Sequence, residues 1–149
     1  MPKSTRLSLF PDVNVWIALT YDGHVHHRVA AQWFESLGTS ARLFFCRVTQ
    51  LGLLRLLTTE AVMGEAEVMN QAQAWEAYDR WLQDDRVTFL VEPPGIDEAF
   101  RASSRSPRPS PKDWADSYLA AFCETANLTL VTFDRALQRK AKLSAILTP

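Results

Sequence analysis

Short apolar runs alternate along the chain with longer stretches whose apolar residues recur every three or four positions. Residues 7–10 form an apolar run that stops at Pro11-Asp12, which predicts a buried strand ending at an acid. Residues 12–20 switch to helical spacing. Residues 25–37 place Val29, Ala30, Trp33, Phe34 and Leu37 on one face, predicting an amphipathic helix closed by Gly38-Thr39-Ser40. Residues 43–46 read as a second strand, and the leucine-rich segment 49–57 as a largely buried helix. Residues 68–82, with Trp75, Tyr78, Trp81 and Leu82, read as a further helix. Residues 87–91 predict a strand, punctuated by Pro93-Pro94-Gly95. A helix over 96–103, a proline-rich loop over 104–111 and a helix over 113–125 come next. A strand over 128–132, a helix over 134–142 and an edge strand over 144–147 complete the pattern.

Strands alternating with helices predict an α/β domain around a mostly parallel sheet. The chain has 149 residues, the size of a single domain, and nothing on either side of the 104–111 loop could stand alone. In open parallel sheets, ligands bind beyond the carboxyl ends of the strands. Asp12 follows the first strand and Asp134 follows the 128–132 strand, so both acids fall on that edge.

Composition adds limits. At 47% hydrophobic residues the chain can bury a core, and no apolar run approaches the roughly 20 residues of a membrane span. The first ten residues, with Lys3 and Arg6, read as a first strand with a short lead-in rather than a signal peptide. Cys46 and Cys123 sit among apolar neighbours and read as reduced core residues, which fits a cytoplasmic protein. The net charge of −1 gives no global attraction to nucleic acid. Two local stretches are basic: Arg101, Arg105, Arg108 and Lys112, then Arg135, Arg139, Lys140 and Lys142. They read as solvated helix faces, or as phosphate contacts if both flank one site.

Crowded carboxylates repel one another, and a divalent cation relieves the repulsion. Mg²⁺ suits such a group because it takes hard oxygen ligands, keeps several waters and is completed by substrate phosphate. It can then support displacement at a phosphodiester. Asp12 fits either a helix N-cap or a ligand, and Asn14 either orients a neighbouring group or serves a turn. Around the next acid, Ser110 reads as an N-cap, Pro111 as the first helical residue and Asp113 as part of a capping-box-like pattern. Asp116 lies one turn further in, where Asp is disfavoured without a special duty. Asp113 stands in reserve. Asp134 again fits a cap or a ligand, and Thr132 can hydrogen-bond within the same site.

With these motifs in place, the sequence resembles PIN domains, especially VapC-type toxins of toxin–antitoxin pairs. Phe-Pro-Asp12-Val-Asn14-Val-Trp-Ile-Ala-Leu is similar to the opening of that family. Ala115-Asp116-Ser-Tyr-Leu-Ala-Ala and Leu-Val-Thr132-Phe-Asp134-Arg-Ala-Leu are similar to its later motifs. His24-Val-His26-His27, Cys46-Arg-Val-Thr49-Gln50-Leu-Gly and Leu-Leu-Arg55-Leu-Leu-Thr are similar to one branch of it. The resemblance implies a three-layer α/β/α fold with a short parallel sheet, Mg²⁺- or Mn²⁺-dependent endoribonuclease activity, a homodimer and inhibition by a small antitoxin. It implies Asp12 and Asp116 as main metal ligands, with Asp134 joining directly or through water. One departure is Gln50, where many members carry glutamate; an amide brings no negative charge, which implies weaker metal binding.

Arg55, Arg108 and Lys112 are candidate phosphate contacts on the same assumed fold. The His24, His26 and His27 group reads as structural or surface residues, since adjacent histidines rarely face one ion. Trp75, Tyr78 and Trp81 read as core or partner-surface residues. Two other functions compete with the nuclease: an RNA-binding PIN-like domain without catalysis, and a phospho-accepting domain. The second lacks the paired acid near the first strand and the late lysine that such domains use.

Overall fold

The computed structural model describes residues 7–148, so Lys3 and Arg6 lie outside the described residues. In chain order the elements are β1 (Ser8–Pro11), α1 (Val13–Thr20), α2 (His27–Ser36), β2 (Arg42–Phe45), α3 (Arg47–Leu57) and α4 (Glu60–Met63). They continue as α5 (Gln71–Leu82), β3 (Val87–Phe89), α6 (Ile96–Ser104), α7 (Asp113–Ala126), β4 (Thr129–Thr132), α8 (Arg135–Lys140) and β5 (Ser144–Ile146). The strands form one parallel sheet in the order β3-β2-β1-β4-β5.

The period-two alternation of strand side chains divides the core into two layers. Leu9, Leu43, Phe45 and Val131 point to one face, where they meet Val15, Trp16 and Ile17 of α1, Leu53 and Leu57 of α3 and Tyr78 of α5. Phe10, Phe44 and Leu130 point to the other, where they meet Leu119, Phe122 and Cys123 of α7 and Leu137 of α8. Helices on both faces give the three-layer α/β/α arrangement. The Trp16 ring stacks on Phe45 with centroids 4.0 Å apart, and Trp81 abuts Trp16 edge-on. Both cysteines are buried and free. Of the helical aromatics, Tyr78 is buried, Trp81 is partly buried and donates to Thr20 Oγ1 at 2.8 Å, and Trp75 is exposed.

Several boundaries move from their predicted places, each for a local reason. α5 starts at Gln71 rather than residue 68 because Asn70 and Gln73 form a reciprocal capping box, with bonds of 2.8 and 2.9 Å. Val68 and Met69 pack against the core instead. α2 starts at His27, two residues late, because tight turns from Tyr21 and His24 occupy the preceding loop. α4 has only four residues, too few to show a period. α7 starts at Asp113, with Lys112 at the cap position, so Ser110 and Pro111 are not its first residues. The Ser110 hydroxyl donates to the Asp113 carboxylate, and the Asp113 N–H donates back to the Ser110 carbonyl at 3.1 Å. This brace replaces the expected cap.

Strand order fixes where a ligand can sit. The chain runs from β1 outward through β2 to β3, then returns to the other side of β1 with β4. Direction reverses between β1 and β4, and the crevice beyond their carboxyl ends is the topological switch point.

Candidate active site

Asp12 stands where β1 ends. Its N–H donates to the Val131 carbonyl at 2.8 Å, so the β1–β4 ladder runs on to the acid itself. One carboxylate oxygen, Oδ1, accepts from the Val13 N–H at 2.7 Å; the other, Oδ2, accepts from the Thr132 hydroxyl at 3.1 Å. The residue is buried, at 7% exposure. Burial pushes the Asp12 carboxyl up from its ordinary range, the Val13 and Thr132 bonds pull it down, and the charges of Asp116 and Asp134 push it up again.

Thr132 ends β4 and is fully buried. Its hydroxyl accepts from Asn14 Nδ2 at 3.2 Å and from the Asp134 N–H at 3.0 Å while donating to Asp12. Two acceptances and one donation exhaust a hydroxyl, so its proton is directed at Asp12. Asn14 also accepts from the Phe133 N–H, through Oδ1 at 3.4 Å. The N-terminus of α1 and the end of β4 are thus tied together by three side-chain hydrogen bonds.

Asp134 caps α8, with Oδ1 accepting from Ala136 and Leu137 at 2.8 and 3.4 Å. This is the N-cap duty allowed from sequence, and it turns the acid toward the same edge. Asp116, in the first turn of α7, is half-buried and makes neither hydrogen bond nor ion pair among the described residues. Its carboxyl is pushed up by burial and by Asp134, against a smaller opposing pull from Lys140. Asp113 is held instead by Ser110 and by Lys140, whose Nζ stands 3.6 Å away, so its pKa lies below the ordinary value. The reserve acid therefore has a structural occupation.

The three aspartates feel one another's charge without closing on a point. Among the described residues, no group of three His, Cys, Asp or Glu side chains is gathered tightly enough to hold an ion. The donor set nevertheless suits a hard divalent cation: three carboxylates, one of them buried and hydrogen-bonded at both oxygens.

The chain is similar to known proteins along most of its length. A family model described as PIN domain matches residues 9–143. Ribonuclease VapC41 of Mycobacterium tuberculosis is 42% identical over 131 residues, covering 86% of this chain and 90% of the relative.

The chain belongs to the PIN domain family, in its VapC branch.

Solved structures share its fold. VapBC2 from Rickettsia felis, solved with a DNA fragment from its promoter, superposes with a TM-score of 0.64 at 11% identity, covering 94% of this chain and 98% of that one. Mycobacterium tuberculosis VapC20, described as a sarcin–ricin loop cleaving toxin, gives 0.60 at 15% identity, over 83% and 87%.

The remaining candidates of this PIN domain stand in different places. Gln50 is buried in the first turn of α3, and its Oε1 accepts from Arg47 Nη1 at 2.6 Å. Arg55 is exposed and lines a groove of α3 and α5 with Leu51 and Trp75, a groove that none of the three aspartates lines. Arg108 lines a cleft beside Asp113, and Lys112 is exposed at the α7 cap position. Two residues take parts that the sequence reading did not give them. His26 stacks on Phe133, with centroids 4.7 Å apart and planes at 21°, and so braces the residue between Thr132 and Asp134. Lys140 supplies the positive charge nearest in effect to Asp116. The His24-Val-His26-His27 motif signalled the first only as a polar cluster, and nothing in sequence spacing links Lys140 to α7.

Proposed function

We propose that this PIN domain is a Mg²⁺- or Mn²⁺-dependent endoribonuclease, the toxin of a toxin–antitoxin pair. The observation that carries the reading is that Asp12, buried and fixed by Thr132 beyond the β1/β4 switch point, feels the charges of Asp116 and Asp134. Its kinship to Ribonuclease VapC41 supports RNA as the substrate.

Asp12, Asp116 and Asp134 would hold the cation, Asp134 directly or through water. When bound, the cation supplies charge neutralisation for the phosphodiester and lowers the pKa of water. The protein's own part is positioning. Thr132 and the Val13 N–H orient both oxygens of Asp12 and oppose the rise of its pKa on burial, and Asn14 holds the Thr132–Phe133 segment against α1. Gln50 serves as a neutral polar group that orients water through its amide NH₂, its oxygen being taken by Arg47. Arg108 and Lys112 contact phosphate, and Arg55 reaches RNA further along the surface. Water adds to phosphorus and gives up a proton, one P–O bond breaks, and the leaving oxygen takes up a proton.

A small antitoxin and a second copy of the chain are the proposed partners, and the cytoplasm is the proposed compartment. No helix among the described residues is long and apolar enough to cross a membrane. A second reading, an RNA-binding domain without catalysis, is favoured by Gln50 and by the open spacing of the acids.

Cleavage of total RNA by purified protein, with Mg²⁺ or Mn²⁺ against EDTA, separates the two. The expected result is metal-dependent cutting that Asp116→Ala abolishes. A folded protein that binds RNA but never cuts it, and takes up no metal, belongs to the second reading.

A further inference from the structure

A cleft of about 630 Å³ opens between the α6–α7 loop, the start of α7 and the end of α8. Its volume falls within the roughly 300–1,000 Å³ of small-ligand sites. Arg101, Arg105, Arg108 and Lys140 line it, with Asp113 as the one acid of the wall. Arg101 is committed to Asp97 at 2.8 Å and Lys140 is shared with Asp113. Arg105 and Arg108 form no ion pair among the described residues.

The two basic stretches of the sequence therefore meet in space, which neither stretch shows by itself. Charge is only half of the wall. Trp114 lines the same cleft with 59% of its surface exposed, held at one edge by a T-shaped contact with Phe100 at 6.2 Å. A large aromatic left in solvent beside unpaired guanidinium groups matches a base beside a phosphate. The cleft also adjoins the acids: Asp113 is in its wall, Asp116 follows one turn later, and the Lys140 charge is felt at Asp116.

Resting on the nuclease reading, we infer that this cleft is a subsite for one unstacked nucleotide of single-stranded RNA. The phosphate lies on Arg105, Arg108 and Lys140, and the base stacks on Trp114. A paired base inside a duplex hides both faces from the indole, so the subsite selects loops and single strands.

The test is fluorescence anisotropy of a labelled ten-nucleotide RNA against the full chain in EDTA, where binding is read without cutting. Trp114→Ala should weaken binding to the single strand by about 5- to 150-fold, the range of one lost base–aromatic stack. Trp114→Phe should restore most of it, and binding to a blunt duplex of the same sequence should not change. Arg105→Ala with Arg108→Ala should weaken binding and flatten its salt dependence by about 1.4 in log–log slope, two phosphates at about 0.7 each. All these side chains are exposed, and circular dichroism verifies the fold of each variant.

Trp114→Ala binding the single strand as tightly as the unchanged chain overturns the subsite. So does displacement of the RNA by poly-glutamate at equal charge, which would mark an acidic-peptide site. If the unchanged chain still cuts total RNA with metal, the nuclease reading survives either result. If it neither cuts nor binds RNA, both fall.

Discussion

The Thr132 hydroxyl donates to the Asp12 carboxylate across 3.1 Å, joining residues 120 positions apart. It is the contact through which the two central strands share one site, because the same oxygen also accepts from Asn14 and from the Asp134 backbone.

Replacing Thr132 should therefore separate orientation from charge. Thr132→Val keeps shape but leaves a buried carboxylate oxygen without its donor, at a cost of about 1–3 kcal/mol in stability. Metal affinity and cleavage should fall about 10- to 100-fold, as for other lost supporting contacts around a metal. Thr132→Ser should retain most of both. Calorimetric Mg²⁺ titration beside RNA cleavage checks this, and equal activity in the Val variant would remove the hydroxyl from the site.

Asp12 should be a residue that the fold would rather do without. Its carboxyl is raised in the folded state, so the protonated form is favoured there. The sign follows by linkage: stability is greatest below the unfolded value of 3.8 and is lost as pH rises through the folded value, leaving the full penalty at neutral pH. Asp12→Asn should melt higher than the unchanged chain at pH 7 in EDTA, with the gain shrinking toward pH 4, and should not cut RNA. Thermal melts across that range decide it; a variant less stable at pH 7 contradicts it.

Gln50→Glu should tighten Mg²⁺ binding severalfold by adding a negative charge to the strand-end group. Arg47, which now donates to Gln50, becomes its ion-pair partner and limits the gain. Calorimetry with Gln50→Glu and with Arg47→Ala/Gln50→Glu reads both effects. Identical affinity in all three proteins would exclude residue 50 from the metal site.

Gly52 should be intolerant of a side chain. An added Cβ would meet Val13 Cγ2 at 2.9 Å, and Val13 is both branched and adjacent to Asp12. Gly52→Ala should cost about 1–3 kcal/mol by overpacking the α1–α3 contact. Denaturant unfolding measures the loss, and a nuclease defect larger than the stability loss would show that the strain reaches Asp12.

Much of the fold was legible because the strands are two-sided: Leu9 and Phe10 both needed burial, and continuous apolar runs announced it. Strand order was not, since the sequence does not say which neighbours a buried parallel strand takes. The three aspartates stood out because two follow strands and one sits where a helix disfavours it. Their hydrogen bonds were only partly legible. Thr132 was expected to bond within the site, but its triple role depends on Asn14 turning back across the β1–β4 junction. Asn70 and Gln73 carried a readable capping box that hydrophobic periodicity overrode, which moved the start of α5. Arg55 was grouped with the site by motif, whereas the structure sets it in an α3–α5 groove. The pairing of Lys140 with Asp113, and with it the joined basic cleft, is purely tertiary.

The central pairing of β1 with β4 also bears on when a ribosome can release an active molecule. Asp12 is synthesised 120 positions ahead of its partner Thr132. Domains assemble as their sequence becomes available, N-terminal parts first. A nascent chain, or a fragment from a stalled ribosome, thus carries β1 without the strand that completes the edge. On the nuclease reading proposed above, that topology withholds the site until β4 has been made.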